Sequence, residues 1–262
     1  MDLANNMVDL SLFETYSSIL MGASAPSVRD KRLLIDSEGN VAIYYVPFEY
    51  INPQARIVLV GITPGPTQMV NGNLEARRAL FAGKTKEEVM ESAKKVAAFS
   101  GEPMRGNLIR QMNHWGFHEW LEIDSCSELF GTQSNLVQTT SLLRYPVFVT
   151  DKDYRGTPDM TKHPLLKRHL LNYFVKEVSL LPDAIFVSMG PKVQQVLDRL
   201  VQQGVLDSRR IIRGLLHPSG NNTYRINYLV GNRDKPVPHM TNPIPYDRGR
   251  TAFRINFIDQ QS

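Results

Sequence analysis

Arg56-Ile57-Val58-Leu59-Val60-Gly61, followed at once by Ile62-Thr63-Pro64-Gly65-Pro66, is the stretch that decides how this chain folds. Its apolar residues are consecutive rather than alternate, so both faces need cover. That is the condition of a strand inside a parallel sheet with helices on either side. The prolines and glycines that end the run stop the strand and mark a stiff loop. We read 56–61 as the first central strand.

Working outward, 136–143 reads as a second strand, 183–189 (DAIFVSM) as a third and 210–216 as a fourth. The third leads through Gly190-Pro191 into a helix over 192–203, whose Val193, Val196, Leu197, Leu200 and Val201 form one stripe. Further helices are predicted over 86–98 and 107–115, the latter stopped by Gly116. Strands alternating with helices predict an α/β fold, a three-layer sandwich around a central, mainly parallel four-stranded sheet. Upstream, 8–21 has helical spacing and 32–46 reads as two short strands around Ser37-Glu38-Gly39-Asn40, making 1–50 an N-terminal embellishment of a core at 51–228. Pro236, Pro238, Pro243 and Pro245 predict an extended C-terminal segment, 229–262, that turns strand-like at 251–258. One domain of 262 residues accommodates all of this.

Composition removes several classes of function. With 42% hydrophobic and 21% charged residues, the chain can bury a core and is neither disordered nor fibrous. No apolar run approaches the ~20 residues of a membrane span. The first residues carry Asp2 and Asp9 and no basic segment ahead of an apolar one, so no secretory leader is expected and the cytoplasm is the predicted compartment. The single cysteine, Cys126, excludes an internal disulfide, a four-cysteine zinc site and a cysteine-ligated iron–sulfur cluster. No metal, no cofactor and no membrane partner are expected, and the chain is expected to be a monomer. A net charge of +4 is compatible with a polyanionic partner. The cations gather at 152–169, which holds Lys152, Arg155, Lys162, Lys167 and Arg168, and again at 233–254. Either stretch alone is as readily a solvated face.

Ligands of such sheets bind where loops leave the carboxyl ends of the strands. Two loops there carry chemistry: Gly61-Ile62-Thr63-Pro64-Gly65-Pro66, and His217-Pro218-Ser219-Gly220-Asn221-Asn222 after the fourth strand, where backbone amides can grip a phosphate. Taken singly, a Pro-Gly turn is usually a plain turn and a lone histidine usually structural.

Together and in this order, the two loops resemble the signature motifs of the uracil-DNA glycosylase superfamily. GITPGP resembles the first motif, of the form Gly-x-Asn-Pro-Gly or Gly-x-Asp-Pro, and HPSGNN the second, a His-Pro-Ser run near the end of the domain. Ala98-Phe99-Ser100-Gly101, backed by Gly106, Leu108, Met112 and Gly116, is similar to the Pro-Phe-Val-Gly segment whose ring stacks on the extruded base. The run 135–146 (NLVQTTSLLRYP) is similar to the region whose asparagine reads the base edge, with Asn135 first in rank and Thr140 and Ser141 as alternatives. The resemblance spans 56–222.

It implies an enzyme that extrudes uracil or a modified pyrimidine from DNA and hydrolyses its N-glycosidic bond to leave an abasic site, in repair or in defence against phage with modified DNA. Catalysis falls to His217 and Thr63. The base would meet Gly61, Ile62, Pro64, Phe99 and Asn135. DNA would meet Gly65 and the 217–225 segment through Ser219, Gly220, Asn221, Asn222, Tyr224 and Arg225, with Lys162, Lys167 and Arg168 on phosphates. A neutral imidazole donating to the oxygen of the departing base acts as an oxyanion-hole donor, an effect of about 3 kcal/mol. Thr63 departs from the family's Asn or Asp: a hydroxyl can orient water but supplies neither a strong base nor a negative charge. The second motif also lacks the family's leucine wedge. The scheme requires both loops to face one nucleoside-sized hollow. A non-catalytic nucleic-acid or nucleotide-binding module on the same fold is the alternative.

Overall fold

A computed structural model describes residues 10–231 and 233–259. The chain opens on α1 (Ser11–Leu20) and the hairpin of β1 (Leu34–Glu38) and β2 (Val41–Tyr44), then runs through β3 (Ile57–Gly61), α2 (Pro66–Phe81), α3 (Lys86–Ala97), α4 (Met104–Trp115), α5 (Phe117–Leu121), β4 (Val137–Ser141), β5 (Val147–Val149) and β6 (Lys152–Asp153). A long helix follows, α6 (Pro164–His169) passing through a π-helical turn at Leu170–Val175 into α7 (Lys176–Leu180). β7 (Ile185–Ser188), α8 (Pro191–Gln202), β8 (Ile211–Ile212), α9 (Thr223–Gly231) and α10 (Ile244–Phe257) complete the chain. The first residues of the predicted 8–21 helix, and the segment on which the absence of a leader was read, lie outside the described residues.

The four predicted central strands form one sheet in the order β4-β3-β7-β8, flanked by helices as an α/β fold requires. β3 is buried at every residue, as its unbroken apolar run demands. It pairs in parallel with β7, Ile57 opposite Ile185 through Val60 opposite Ser188, and β7 pairs in parallel with β8. β8 is shorter than its sequence suggests. Only Ile211 and Ile212 stay in the ladder, because Gly214 takes a φ of +109° and turns the chain away. On α8 the stripe of Val193, Val196, Leu197 and Leu200 is buried.

Two expectations are corrected. The N-terminal hairpin does not stand apart: β2 pairs antiparallel with β5 and β5 with β6, so strands from the middle of the chain complete a second four-stranded sheet, β1-β2-β5-β6. The predicted strand at 251–258 is helix. Pro243 caps α10 and Pro245 lies in its first turn, where a missing N–H costs nothing. Its Tyr246, Phe253 and Phe257, seven and then four residues apart, share one face. Phe253 stacks on Phe117 at 4.2 Å between ring centroids, and Tyr246 meets Trp115 edge-on at 5.2 Å. Helical spacing of aromatics outweighed β-branched texture.

The chain divides into two compact units, each discontinuous in sequence. One holds the described residues up to Pro53 with Ile62–Ser100 and Thr139–Pro182; the other holds Gln54–Gly61, Gly101–Gln138 and the residues from Asp183 onward. No helix among the described residues is long and apolar enough to cross a membrane. No group of three or more His, Cys, Asp or Glu among them is arranged to hold a metal ion.

Candidate functional site

His217 belongs to the second unit and is held at the carboxyl edge of the sheet by a chain of backbone bonds. Met189, just past β7, donates its N–H to Val60 O of β3 at 3.0 Å, and Gly190 donates to Leu215 O at 3.0 Å. Gly190 has a φ of +92°, and a Cβ placed on it would lie 3.3 Å from His217 Cβ. The imidazole thus sits against a glycine that must be glycine.

Helix α4 fixes the rest of the loop through two carboxamides one turn apart. Gln111 accepts from Leu216 N–H at 3.0 Å and donates to Leu216 O at 3.2 Å. Asn107 donates from Nδ2 to Pro218 O at 3.1 Å and to Thr223 Oγ1 at 2.8 Å. Asn222 closes the loop on itself by donating to His217 O at 2.8 Å. The carbonyls of three consecutive residues, 216 to 218, therefore have side-chain donors, and the loop is rigid without any ligand.

That rigidity sets the chemistry of the ring. Ser219 donates its N–H to His217 Nδ1 at 3.3 Å, so Nδ1 is the unprotonated nitrogen and the neutral ring carries its proton on Nε2. Burial pushes the His217 pKa down from its ordinary value, which keeps the ring neutral at neutral pH. The result is a pre-oriented, uncharged N–H donor. Beyond it, Asn221 and Gly220 are exposed, Arg225 donates to Asn222 Oδ1 at 3.3 Å, and Tyr224 on the first turn of α9 is 65% exposed.

The GITPGP loop after Gly61 belongs to the first unit. Ile62 O accepts from Leu143 N–H at 3.0 Å. Thr63 Oγ1 donates to Tyr145 O at 2.9 Å and accepts from Val147 N–H at 3.1 Å. The hydroxyl proton and one lone pair are thereby spent on the backbone of 145–147, leaving a single lone pair for any other partner. Pro64 is buried, and Gly65 caps α2 by donating its N–H to Gln68 Oε1 at 2.8 Å. Gly65 has a φ of −85°, a conformation open to any residue. Phe99 is buried, with a φ of +46°. A bulky residue in left-handed backbone costs about 1–2 kcal/mol, and such strain gathers at functional positions. The next residue helps to hold it: Ser100 donates to Ala97 O at 3.0 Å and accepts from Asn71 Nδ2 at 3.1 Å.

Other predicted residues fall elsewhere. Asn135 lies in a short 3-10 turn ahead of β4, exposed, and the adjoining Leu136 O accepts from Arg56 N–H at the start of β3. Five residue steps of about 3.3 Å separate that end of β3 from Gly61, so Asn135 stands roughly 16 Å from the carboxyl edge and is corrected as a base-reading residue. Of its alternatives, Thr140 is spent on a buried carboxylate, donating to Glu177 Oε2 at 2.9 Å, and Ser141 is half-buried at the end of β4. Lys162, Lys167 and Arg168 are exposed, Arg168 being paired with Asp36 at 2.6 Å. Asn107 and Gln111 escaped the sequence reading. Their signal was two carboxamides at i and i+4 on the stripe of Leu108, Met112 and Trp115, a place where polar groups survive only with partners.

No model of a known protein family matches the chain, and no solved structure matches it. Among curated proteins it is similar to the "Uncharacterized protein YoxB" of Bacillus subtilis (strain 168), at 33% identity over 204 residues, covering 77% of this chain and 79% of that protein.

Proposed function

The chain belongs to the family of the Bacillus subtilis protein YoxB, and we propose for it the hydrolysis of the N-glycosidic bond of uracil or a modified pyrimidine in DNA. The three-layer sandwich of the uracil-DNA glycosylase superfamily is part of the same proposal. One observation carries the reading: His217, at the carboxyl edge of a parallel sheet, is a neutral ring with its Nε2–H pre-set as a donor. A departing pyrimidine develops negative charge on its oxygen, and a donor already oriented there stabilises that charge without reorganisation. A neutral donor also avoids placing a buried cation next to the sugar, which itself becomes positive. Thr63 enters this scheme only as an acceptor that orients water through its remaining lone pair. Gly220 and Asn221, exposed beside the ring, are proposed to meet phosphates, and Lys162 and Lys167 to add charge along the DNA.

The test is direct. The protein is incubated with single- and double-stranded DNA containing uracil or glucosylated hydroxymethylcytosine, and abasic sites are then cleaved with alkali. Strand scission at the modified base is expected. The use of the Thr63 hydroxyl on backbone groups favours a second reading, a binding module without chemistry. Retention of the same DNA with no scission on any substrate would select it.

A further inference from the structure

Behind the GITPGP loop, within the first unit, lies a buried set of ionisable groups that the proposed chemistry does not use. Glu49 is fully buried, and its Oε1 accepts from Tyr145 Oη at 3.0 Å. Glu49 Oε2 and Arg144 Nε are both buried without a hydrogen-bond partner among the described residues. Arg144 spends another nitrogen on Glu177, donating from Nη2 to Oε2 at 3.0 Å, and lies over the Tyr173 ring at 5.4 Å. Lys94 Nζ stands 3.8 Å from Glu177 Oε1 and donates to Tyr50 O at 2.6 Å. Tyr173 meets Tyr145 edge-on at 5.0 Å, and it sits in the π-helical turn between α6 and α7, a rare distortion found frequently at functional sites.

The charged and titratable groups facing Glu49 are few. They are Tyr45 from the segment after β2, and Arg144 and Tyr145 from the segment ahead of β5. Lys94 and Glu177 form the next layer, and Tyr16 stacks on Tyr45 at 4.6 Å. Tyr145 is the link outward. Its hydroxyl holds Glu49 while its carbonyl holds the Thr63 hydroxyl, so one residue joins the sealed carboxyl group to the loop.

We propose that Glu49 is a positioning residue for the 61–66 loop: it takes up and releases one proton inside this network, and that proton decides how firmly Tyr145 and Val147 hold Thr63. When Glu49 is neutral, Tyr145 donates to it and Arg144 is left to Glu177. When Glu49 is ionised, the carboxylate accepts more strongly from Tyr145 Oη and draws Tyr145, and the 145–147 segment with it, inward, loosening its grip on Thr63. Burial raises the Glu49 pKa to about 7, which puts the change at neutral pH. The effect on catalysis rests on the proposed glycosylase reading; the coupling to the loop does not.

The experiment measures amide hydrogen exchange of the full chain between pH 6 and 8, corrected for the intrinsic pH dependence of exchange. The probes are the Leu143 and Val147 amides, which donate to Ile62 O and Thr63 Oγ1, with the α3 amides as reference. Protection of the two probes should fall about tenfold relative to α3 with a midpoint near the Glu49 pKa of about 7, tenfold being the change that one unit of coupling brings. Glu49→Gln, close in shape and permanently neutral, should flatten the profile at the protected level. Tyr145→Phe keeps the carbonyl and removes the link, and should flatten it as well; should Glu49→Gln not fold, this variant and the wild-type step decide. A step shared equally by α3, a step that persists in the variants, or no step in the wild type overturns the proposal. Base release measured on the same samples separates the two claims. A confined step with no base released sinks the glycosylase reading alone, and base release without the step sinks this one alone.

Discussion

Gln111 satisfies both backbone groups of Leu216 with one buried side chain, and so anchors the residue that precedes His217. Gln111→Ala would strand the part-buried N–H and carbonyl of Leu216, each costing about 1–3 kcal/mol, so a loss of roughly 2–6 kcal/mol is expected in urea unfolding. Gln111→Glu keeps the acceptor but turns an oxygen on the Leu216 and Asn107 carbonyls in a fully buried site, so it should destabilise at least as much. If the alanine variant unfolds at the wild-type urea concentration, the clamp is not what orders the loop. At this scale the sequence was readable where a motif announced the residue. His217 and Thr63 stood out only through the resemblance of their two loops, taken in order, to a pair of known motifs. Asn107 and Gln111 did not, because a carboxamide shows its purpose only when the backbone it binds, more than a hundred residues away, is known. Thr63 was read for what it offers a substrate; the backbone of 145–147 uses most of that offer first.

The decisive element is the turn from β7 into α8, where Gly190 adopts a φ of +92° and a ψ of 167°, a region essentially confined to glycine. Gly190→Ala should cost about 1–3 kcal/mol through strain alone. The added methyl also falls 3.3 Å from His217 Cβ, so the variant should lose base release well beyond what its thermal stability accounts for. Equal activity in folded Gly190→Ala protein would show that the imidazole need not sit where the glycine lets it. Elements with a strong local signal were legible: β3 by its unbroken apolar run and α8 by its stripe. Elements that depend on distant partners were not. β5 has three residues and β6 two, too short to show an alternation. α2 carries Asn71, Gly72 and Asn73 in its middle, which weakens its helical signal. The structure gives the reason for the glycine: a Cβ there would lie 2.8 Å from Phe48 Cε1 and from Val46 Cγ2.

Across the whole molecule the two units interleave along the chain, which is why reading from one end to the other suggested a core with appendages at both ends. Stability against pH is also a property of the whole. Glu49 titrates at about 7 when folded and near 4.5 otherwise, so between those values the unfolded chain gives up this proton first and Glu49 lowers stability as pH rises. His169, buried beside Asp36, has its pKa pushed down to about 4 from 6.5. Across that lower window the unfolded chain binds the extra proton, so His169 raises stability as pH rises. Comparing wild type with Glu49→Gln removes the histidine contribution: the difference in unfolding free energy should fall from pH 4.5 to 7 and be flat above. A constant difference across that range would show that Glu49 is ionised throughout. For His217 the sign is that of His169, and the activity proposed for it should follow suit, since only the neutral ring donates without adding a buried charge. The most direct measurement is the single-turnover rate of base release from modified DNA against pH, for wild type and His217→Ala. Neutral His217 predicts no loss of wild-type rate as pH falls to 6.5 and a decline only below it, and a variant slower by about 10² with that decline gone. A variant as fast as wild type would contradict the role given to this histidine.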